Sequence, residues 1–143
     1  MPSNPLVQNF DNQSIFLTAP TMISGTYTNS SGSSVTLPVG KVMGRVTSTD
    51  KLAIMTSGAS DGSQNPRFIN VEEVVVADGA SATIFVANNC QVAEDLIVLA
   101  GSDTLDTAVG TAGIIRDLLN QNGNIVVVPE TQNAKYANAI PYA

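Results

Sequence analysis

No histidine and no tryptophan occur among these 143 residues, and cysteine occurs once, as Cys90. Without histidine the commonest general base and zinc ligand is missing, and Ser-His-Asp or Cys-His triads are impossible. A lone cysteine excludes an internal disulfide. With Glu94 and Asp95 nearby and no cation beside it, Cys90 reads as a small buried hydrophobe and not as a reactive thiol. Charge is scarce too: 13% of residues carry it, about half the usual ~25%. Six basic residues face twelve acidic ones, a formal net charge of -6. The basic residues (Lys41, Arg45, Lys51, Arg67, Arg116 and Lys135) are dispersed along the chain. Nucleic-acid binding needs clustered cations that displace counterions from phosphates, so that class is set aside. No run of ~20 apolar residues is available to span a membrane. The leading residues lack the basic start and apolar stretch of a secretion signal, so export is not expected.

What fills the chain instead is Ser, Thr, Asn, Gln and Gly, which suit strands and turns better than exposed helices. The length fits one domain. Residues 1–21 keep no sustained period and are interrupted by Pro2, Pro5 and Pro20, yet they carry Leu6, Val7, Phe10, Ile15 and Phe16. A tail without a partner usually holds few such residues. Two readings follow, an edge strand packed on its own domain or an arm with a docking site on another chain, and the arm is preferred. The expected organisation is an arm over 1–21, a β-rich body over 22–128 and a C-terminal tail over 129–143.

Within the body, strands are predicted over 22–28, 41–47, 51–56, 67–77 and 82–87, with a closing strand over 124–128. Gly44 inside the second marks a bulge or a close backbone approach. Residues 57–66 are a loop by composition, and Asp78-Gly79-Ala80-Ser81 predicts a hairpin. Residues 96–99 read as a brief buried run. One helix is predicted over about 107–120, weakened in its first half by Gly110 and Gly113, with Gly123 as its stop signal.

Candidate chemistry is thin. Asp103 and Asp106, with Glu94 and Asp95 nearby, offer too few oxygens for calcium; Asp106 suits a helix cap better. Asp61-Gly62-Ser63-Gln64-Asn65 resembles half a calcium loop without its distal Glu, and turn chemistry accounts for it. Gly110-Thr111-Ala112-Gly113 lacks the ending of a phosphate cradle. Glu72 and Glu73, read as lying in a strand, would point to opposite faces, unlike a paired acid and base. Neither catalytic residue, metal nor cofactor is expected. Asn29-Ser30-Ser31 and Asn12-Gln13-Ser14 match the glycosylation acceptor pattern, which is empty without secretion.

The segment order resembles the head-decoration (capsid cement) protein family of lambda-like tailed bacteriophages. The resemblance rests on Gly-Lys-Val-Met-Gly-Arg-Val-Thr at 40–47, Ala-Ser-Asp-Gly-Ser-Gln at 59–64, the Asp78-Gly79 turn and Gly-Asn-Ile-Val-Val-Val at 123–128. It covers roughly residues 22–128; the stretch 92–109 reads as an insertion, and the tail after Pro129 exceeds the family's minimal plan. The resemblance implies a mainly β, small sandwich or barrel-like decoration fold with one short α-helix near the C-terminal end and an extended N-terminal arm. It implies a homotrimer on the outer surface of the expanded head in the virion, partnered by the major capsid protein and by no nucleic acid or membrane. Leu6, Val7, Phe10, Ile15 and Phe16 are then the expected capsid anchors, and Arg45, Arg67, Glu72 and Glu73 the candidate trimer-seam charges. The rival classes are a tail-fibre or baseplate adhesion module, which wants aromatic platforms that 5% aromatic residues barely supply, and a small hydrolase or lyase, which wants a pocket of convergent carboxylates.

Overall fold

A computed structural model describes residues 15–129. Its elements are β1 (Thr21–Thr28), β2 (Val35–Leu37), β3 (Val42–Arg45), β4 (Leu52–Ile54), β5 (Phe68–Asn70), β6 (Val74–Val76), β7 (Ser81–Asn88) and β8 (Cys90–Ala93). A 3₁₀ turn (Glu94–Leu96), β9 (Ala108–Val109), β10 (Gly113–Ile114), α1 (Ile115–Gly123) and β11 (Ile125–Val128) follow. The chain is mainly β, as its composition implied. Five strands close into a barrel in the order β1-β4-β3-β5-β7, and β7 returns to β1 along its whole length, Thr21 opposite Asn88 through Thr28 opposite Ser81.

The barrel wall explains the apolar runs in β3 and β5. Period-two alternation sends Met43 and Phe68 inward to Tyr27, Leu52, Ile84 and Val86. Their neighbours Val42 and Ile69 point outward into a second core with Met55, Val92, Ile115, Leu119 and Ile125. A strand buried on both faces reads as continuous hydrophobicity, not as alternation. Gly44 sits where a Cβ would run into the backbone of Ser63, the close approach that its place within a strand suggested.

Six expectations are corrected. The predicted strand 67–77 breaks after Asn70. The Asn70 carboxamide is fully buried and donates to Leu37 O at 3.0 Å, Pro38 O at 2.9 Å and Glu72 O at 2.9 Å, so the chain bends and β6 leaves the barrel to pair with β2. Glu72 and Glu73 therefore lie in this bend and not in a strand. The turn at 78–80 does form, with Gly79 at φ +76° and Ala80 N–H donating to Ala77 O at 3.0 Å. It joins no hairpin, because β6 pairs with β2 while β7 pairs with β1 and β5.

The predicted helix loses its first half. Gly110 (φ +53°) and Gly113 (φ +137°) adopt backbone angles that no helix tolerates, and β9 and β10 form a small antiparallel hairpin there. The remaining helix runs to Gly123 and is closed by Asn124 in the left-handed region, its N–H reaching back to Asn120 O and Leu119 O. Asp106 caps nothing; it lies 3.7 Å from Arg116 Nε, while Arg116 Nη1 lies 2.6 Å from Glu94. Residues 96–99 are not a buried run: Leu96 is exposed, and Ile97 and Leu99 are half-buried against the second core.

Candidate docking surface

The N-terminal end of the described chain is tied to the body. Phe16 bridges Val92, Ala93 N–H donates to Ile15 O at 2.9 Å, and Leu17 N–H donates to Gln91 O at 2.8 Å. Residues 15–17 thus make an isolated antiparallel bridge to one edge of β8, whose other edge carries β11 in parallel register, Val128 opposite Ala93. The Ile15 side chain is 3% exposed and belongs to the second core; Phe16 packs against the same core. Of the five expected capsid anchors, Ile15 is thus buried in the domain and Phe16 is half-buried against it. Leu6, Val7 and Phe10 lie outside the described residues.

Two exposed apolar side chains stand on the turns next to this end of the chain. Gly40 abuts Leu96 O and the tip of Ile15, and Val98 N–H donates to Gly40 O at 2.9 Å. That packing brings the turn holding Val39 close to the 3₁₀ turn holding Leu96, and both side chains are exposed, 43% and 41%. Lys41, bridged to Val98, stands at the same end, and its partial burial pushes the ammonium pKa below its ordinary value. Sequence reasoning missed this end. Its available signal was Val39 itself, an apolar residue between Pro38 and Gly40 where turns favour polar side chains.

The seam candidates are not brought together. The Arg45 guanidinium donates to Asp50 O at 2.8 Å, lies 3.4 Å from its carboxylate and stands over the Phe68 ring at 5.3 Å from its centre. Arg67, Glu72 and Glu73 are exposed. Arg67 stands at the start of β5, against the end of α1 at Gly123, and the two glutamates stand beyond its far end. A second exposed apolar pair, Met22 and Phe85, lies diagonally across the β1–β7 ladder on the outer barrel face.

The remaining motifs resolve into structure. Asp61 Oδ1 accepts from Ser63 N at 3.0 Å and Ser63 Oγ at 2.6 Å, and those bonds hold its carboxyl below the ordinary range. Asp103 accepts from Ser57 N at 2.9 Å and Ser57 Oγ at 2.6 Å. Cys90 is buried, and that burial raises its thiol pKa. An open groove of about 310 Å³ between the 57–65 loop and the β9–β10 turn is lined by hydroxyls, carboxamides and small apolar groups, with no titratable side chain. Among the described residues, no helix is long and apolar enough to cross a membrane, and no three acidic or cysteine side chains converge as a metal set.

Residues 8–114 match the family model of the bacteriophage lambda head decoration protein D. The match begins fourteen residues before the body predicted to start at Met22, and ends where α1 begins. No curated protein matches the chain.

Proposed function

The chain belongs to the bacteriophage lambda head decoration protein D family and is a phage capsid decoration protein, and from that premise we propose that it works as a trimeric cement on the outer surface of the expanded head. It occupies three-fold and quasi-three-fold positions, contacts the major capsid protein and braces the shell against internal DNA pressure. The observation that carries this reading is the family match over a body whose arm root is already held in a sheet. Residues before Ile15, with Leu6, Val7 and Phe10 as anchors, add a strand to capsid elements. Backbone hydrogen bonds supply affinity and alternate side chains fill pockets. Because residues 15–17 are fixed against β8, the docked arm transmits load to the barrel and does not swing on a loose tether.

No reaction is involved. A ligand that binds the expanded shell and not its competitors stabilises it by mass action. The direct test is to mix the purified protein with expanded heads made without it, and to follow the change in particle density and the temperature at which DNA escapes. Decorated heads should survive higher temperature. Heads that stay bare, or that gain bulk and no heat resistance, overturn the reading.

A three-fold trimer joins two different patches of each copy, since its interface is heterologous. Arg67 at one end of β5 and Glu72 with Glu73 at the other meet that requirement, and Arg45 is the weaker candidate because Asp50 already holds it. Arg67→Glu is expected to weaken trimer association by about tenfold or more, since one reversal is repeated at three seams. Adding Glu72→Arg and Glu73→Arg should restore it. Sedimentation equilibrium reads both; an unchanged trimer in Arg67→Glu would remove these charges from the seam.

A further inference from the structure

The groove between the 57–65 loop and the β9–β10 turn has two walls, and each is held from behind. On one side Asp103 accepts from the N–H and hydroxyl of Ser57, at 2.9 and 2.6 Å, and Asp61 accepts from those of Ser63, at 3.0 and 2.6 Å. Ser63 is buried against Gly44, and Thr47 N–H donates to Asp61 O at 2.9 Å, which fastens the loop beside β3. On the other side Val109 is buried in the second core, and Ala112 N–H closes the turn onto Val109 O at 3.0 Å. Walls fixed in this way are set before a ligand arrives, so binding bears little of the cost of ordering them.

The lining is uncharged and rich in hydrogen-bonding groups. Gln64 Oε1 accepts from Gly62 N–H at 2.8 Å, which leaves the amide nitrogen with its donors for a ligand. The half-buried Asn65 carboxamide and the Ser60 and Thr111 hydroxyls make no side-chain bond within the described residues. Donors and acceptors thus stand on both walls, alongside the apolar surface of Ala59, Val109 and Ala112. An ionic ligand finds no counter-charge on these walls, and the net charge of -6 repels anions from the molecule as a whole. A purely apolar ligand strips water from the polar side chains and replaces none of the bonds. A neutral sugar ring meets both demands, with hydroxyls that donate and accept and a C–H face for the apolar groups. The groove's volume of about 310 Å³ falls at the lower end of small-molecule sites, the scale of a saccharide unit.

We propose that this groove binds an uncharged saccharide, and that decorated heads use its many copies to hold reversibly to neutral polysaccharide on a cell surface. The second half rests on the capsid-cement reading; the groove itself belongs to the single chain. Gln64 and Asn65 supply directional bonds from the loop, Thr111 answers from the β9–β10 turn, and Val109 and Ala112 meet the ring's apolar face. The lining holds no aromatic ring, so stacking adds nothing. One site therefore binds weakly, with a Kd of about 1 mM or more. A head that displays the groove many times turns that weak contact into avidity, a gain on the order of 100-fold or more. Such a hold releases readily, and acidic polysaccharide is refused by the protein's own charge.

The test begins with the full chain free in solution. Glucose, galactose and N-acetylglucosamine are each titrated to about 50 mM while amide shifts are followed by NMR, with glucuronate as the charged control. At least one neutral sugar should move the side-chain amides of Gln64 and Asn65 and the backbone of residues 109–112, with a millimolar Kd. Glucuronate should bind about tenfold or more weakly. Asn65→Ala/Thr111→Ala should keep the parent's thermal unfolding and lose about tenfold in affinity. Ala112→Tyr, which fills the groove from an exposed turn position, should abolish the shifts. The proposal is overturned if no neutral sugar moves these residues, if the shifts lie elsewhere, if glucuronate binds as well, or if both variants bind as the parent does. Decorated heads should be retained on an immobilised polymer of the responding sugar and released by that sugar in free form, while bare heads pass through. Equal retention of decorated and bare heads overturns the surface-holding role. Protein that coats heads but gives no shifts leaves the cement reading standing and ends this inference. Shifts from a protein that leaves heads bare keep the groove and end the cement reading together with the role built on it.

Discussion

Deleting residues 1–14 is expected to leave a folded trimer that no longer holds to expanded heads. The position of the cut matters. Ile15 is 3% exposed in the second core, and its carbonyl accepts from Ala93 N–H. A deletion through residue 21 would remove that side chain, the Phe16–Val92 bridge and the Leu17 bond to Gln91, a loss on the order of 3 kcal/mol from the Ile side chain alone. Such a variant confounds binding with stability. Ending the deletion at residue 14 spares all of these contacts, so thermal unfolding should stay within a degree or two of the full chain, roughly the effect of an ordinary surface change. Head binding should fall by a hundredfold or more, roughly, because three arms act together in a trimer and each multiplies the avidity of the others. Replacing Leu6, Val7 and Phe10 by Ser should produce most of the loss without shortening the chain. Co-sedimentation with heads measures binding and calorimetry measures stability. A truncated protein that decorates heads as tightly as the full one would remove the arm from the mechanism.

Strand positions were legible where local chemistry decided them. The strand at 22–28, the pair joined around Ser48-Thr49-Asp50 and the closing strand at 124–128 all appear within a residue or three of their expected limits, since each is a β-branched or apolar run bounded by turn residues. Pairing was less legible, because partners are chosen by tertiary contacts. Nothing local in 67–77 reports that Asn70 will turn its carboxamide onto three carbonyls and end the strand. The helix error has a clear physical source. Val109, Ile114, Ile115, Leu118 and Leu119 do fall at helical spacing, and all but Ile114 are buried, yet Val109 reaches that core from a hairpin strand. Periodicity shows which residues face a core, and the glycines at 110 and 113 should have outweighed it.

The setting of the proposed docking surface was half legible. Apolar residues in a proline-broken leader pointed to an interface, and the family match extends into that leader from residue 8. What sequence cannot separate is an apolar residue spent on the domain from one left for a partner. Ile15 and Phe16 read as part of the same apolar leader as Phe10, and only the bonds to Ala93 and Val92 show that these two are held by the body. Leu96 shows the reverse error: expected in a buried run, it stands exposed.

The largest stability effect expected from a single polar substitution lies at Asn29, which the sequence presents as the first residue of a serine-rich loop. The side chain is fully buried. Its Nδ2 donates to Val76 O at 2.9 Å and Ser33 O at 2.7 Å, and its Oδ1 accepts from Ser31 N at 3.0 Å and Ser31 Oγ at 2.7 Å. Its main chain grips the turn before β7, with Asn29 N–H donating to Ala80 O at 2.9 Å and Gly79 N–H donating to Asn29 O at 2.7 Å. One residue therefore ties the ends of β1 and β6 and the entry to β7 together. Asn29→Ala removes the buried donor to the Val76 carbonyl and the loop's organising acceptor, so a loss of about 3 kcal/mol is expected, a fall in Tm of about 10 °C. Asn29→Asp separates the donor's contribution from the acceptor's. It keeps the bonds from Ser31 but sets a carboxylate against two carbonyl oxygens, which raises its folded pKa above the unfolded value of about 3.9. A group shifted in that direction costs stability once it ionises, so the Asp variant should be less damaged near pH 4 than at pH 7, with stability falling as pH rises between the two pKa values. Thermal unfolding of both variants across that range is the check. An Asn29→Ala protein within a degree of the parent, or an Asp variant whose deficit does not change with pH, would show that the loop is held by other contacts.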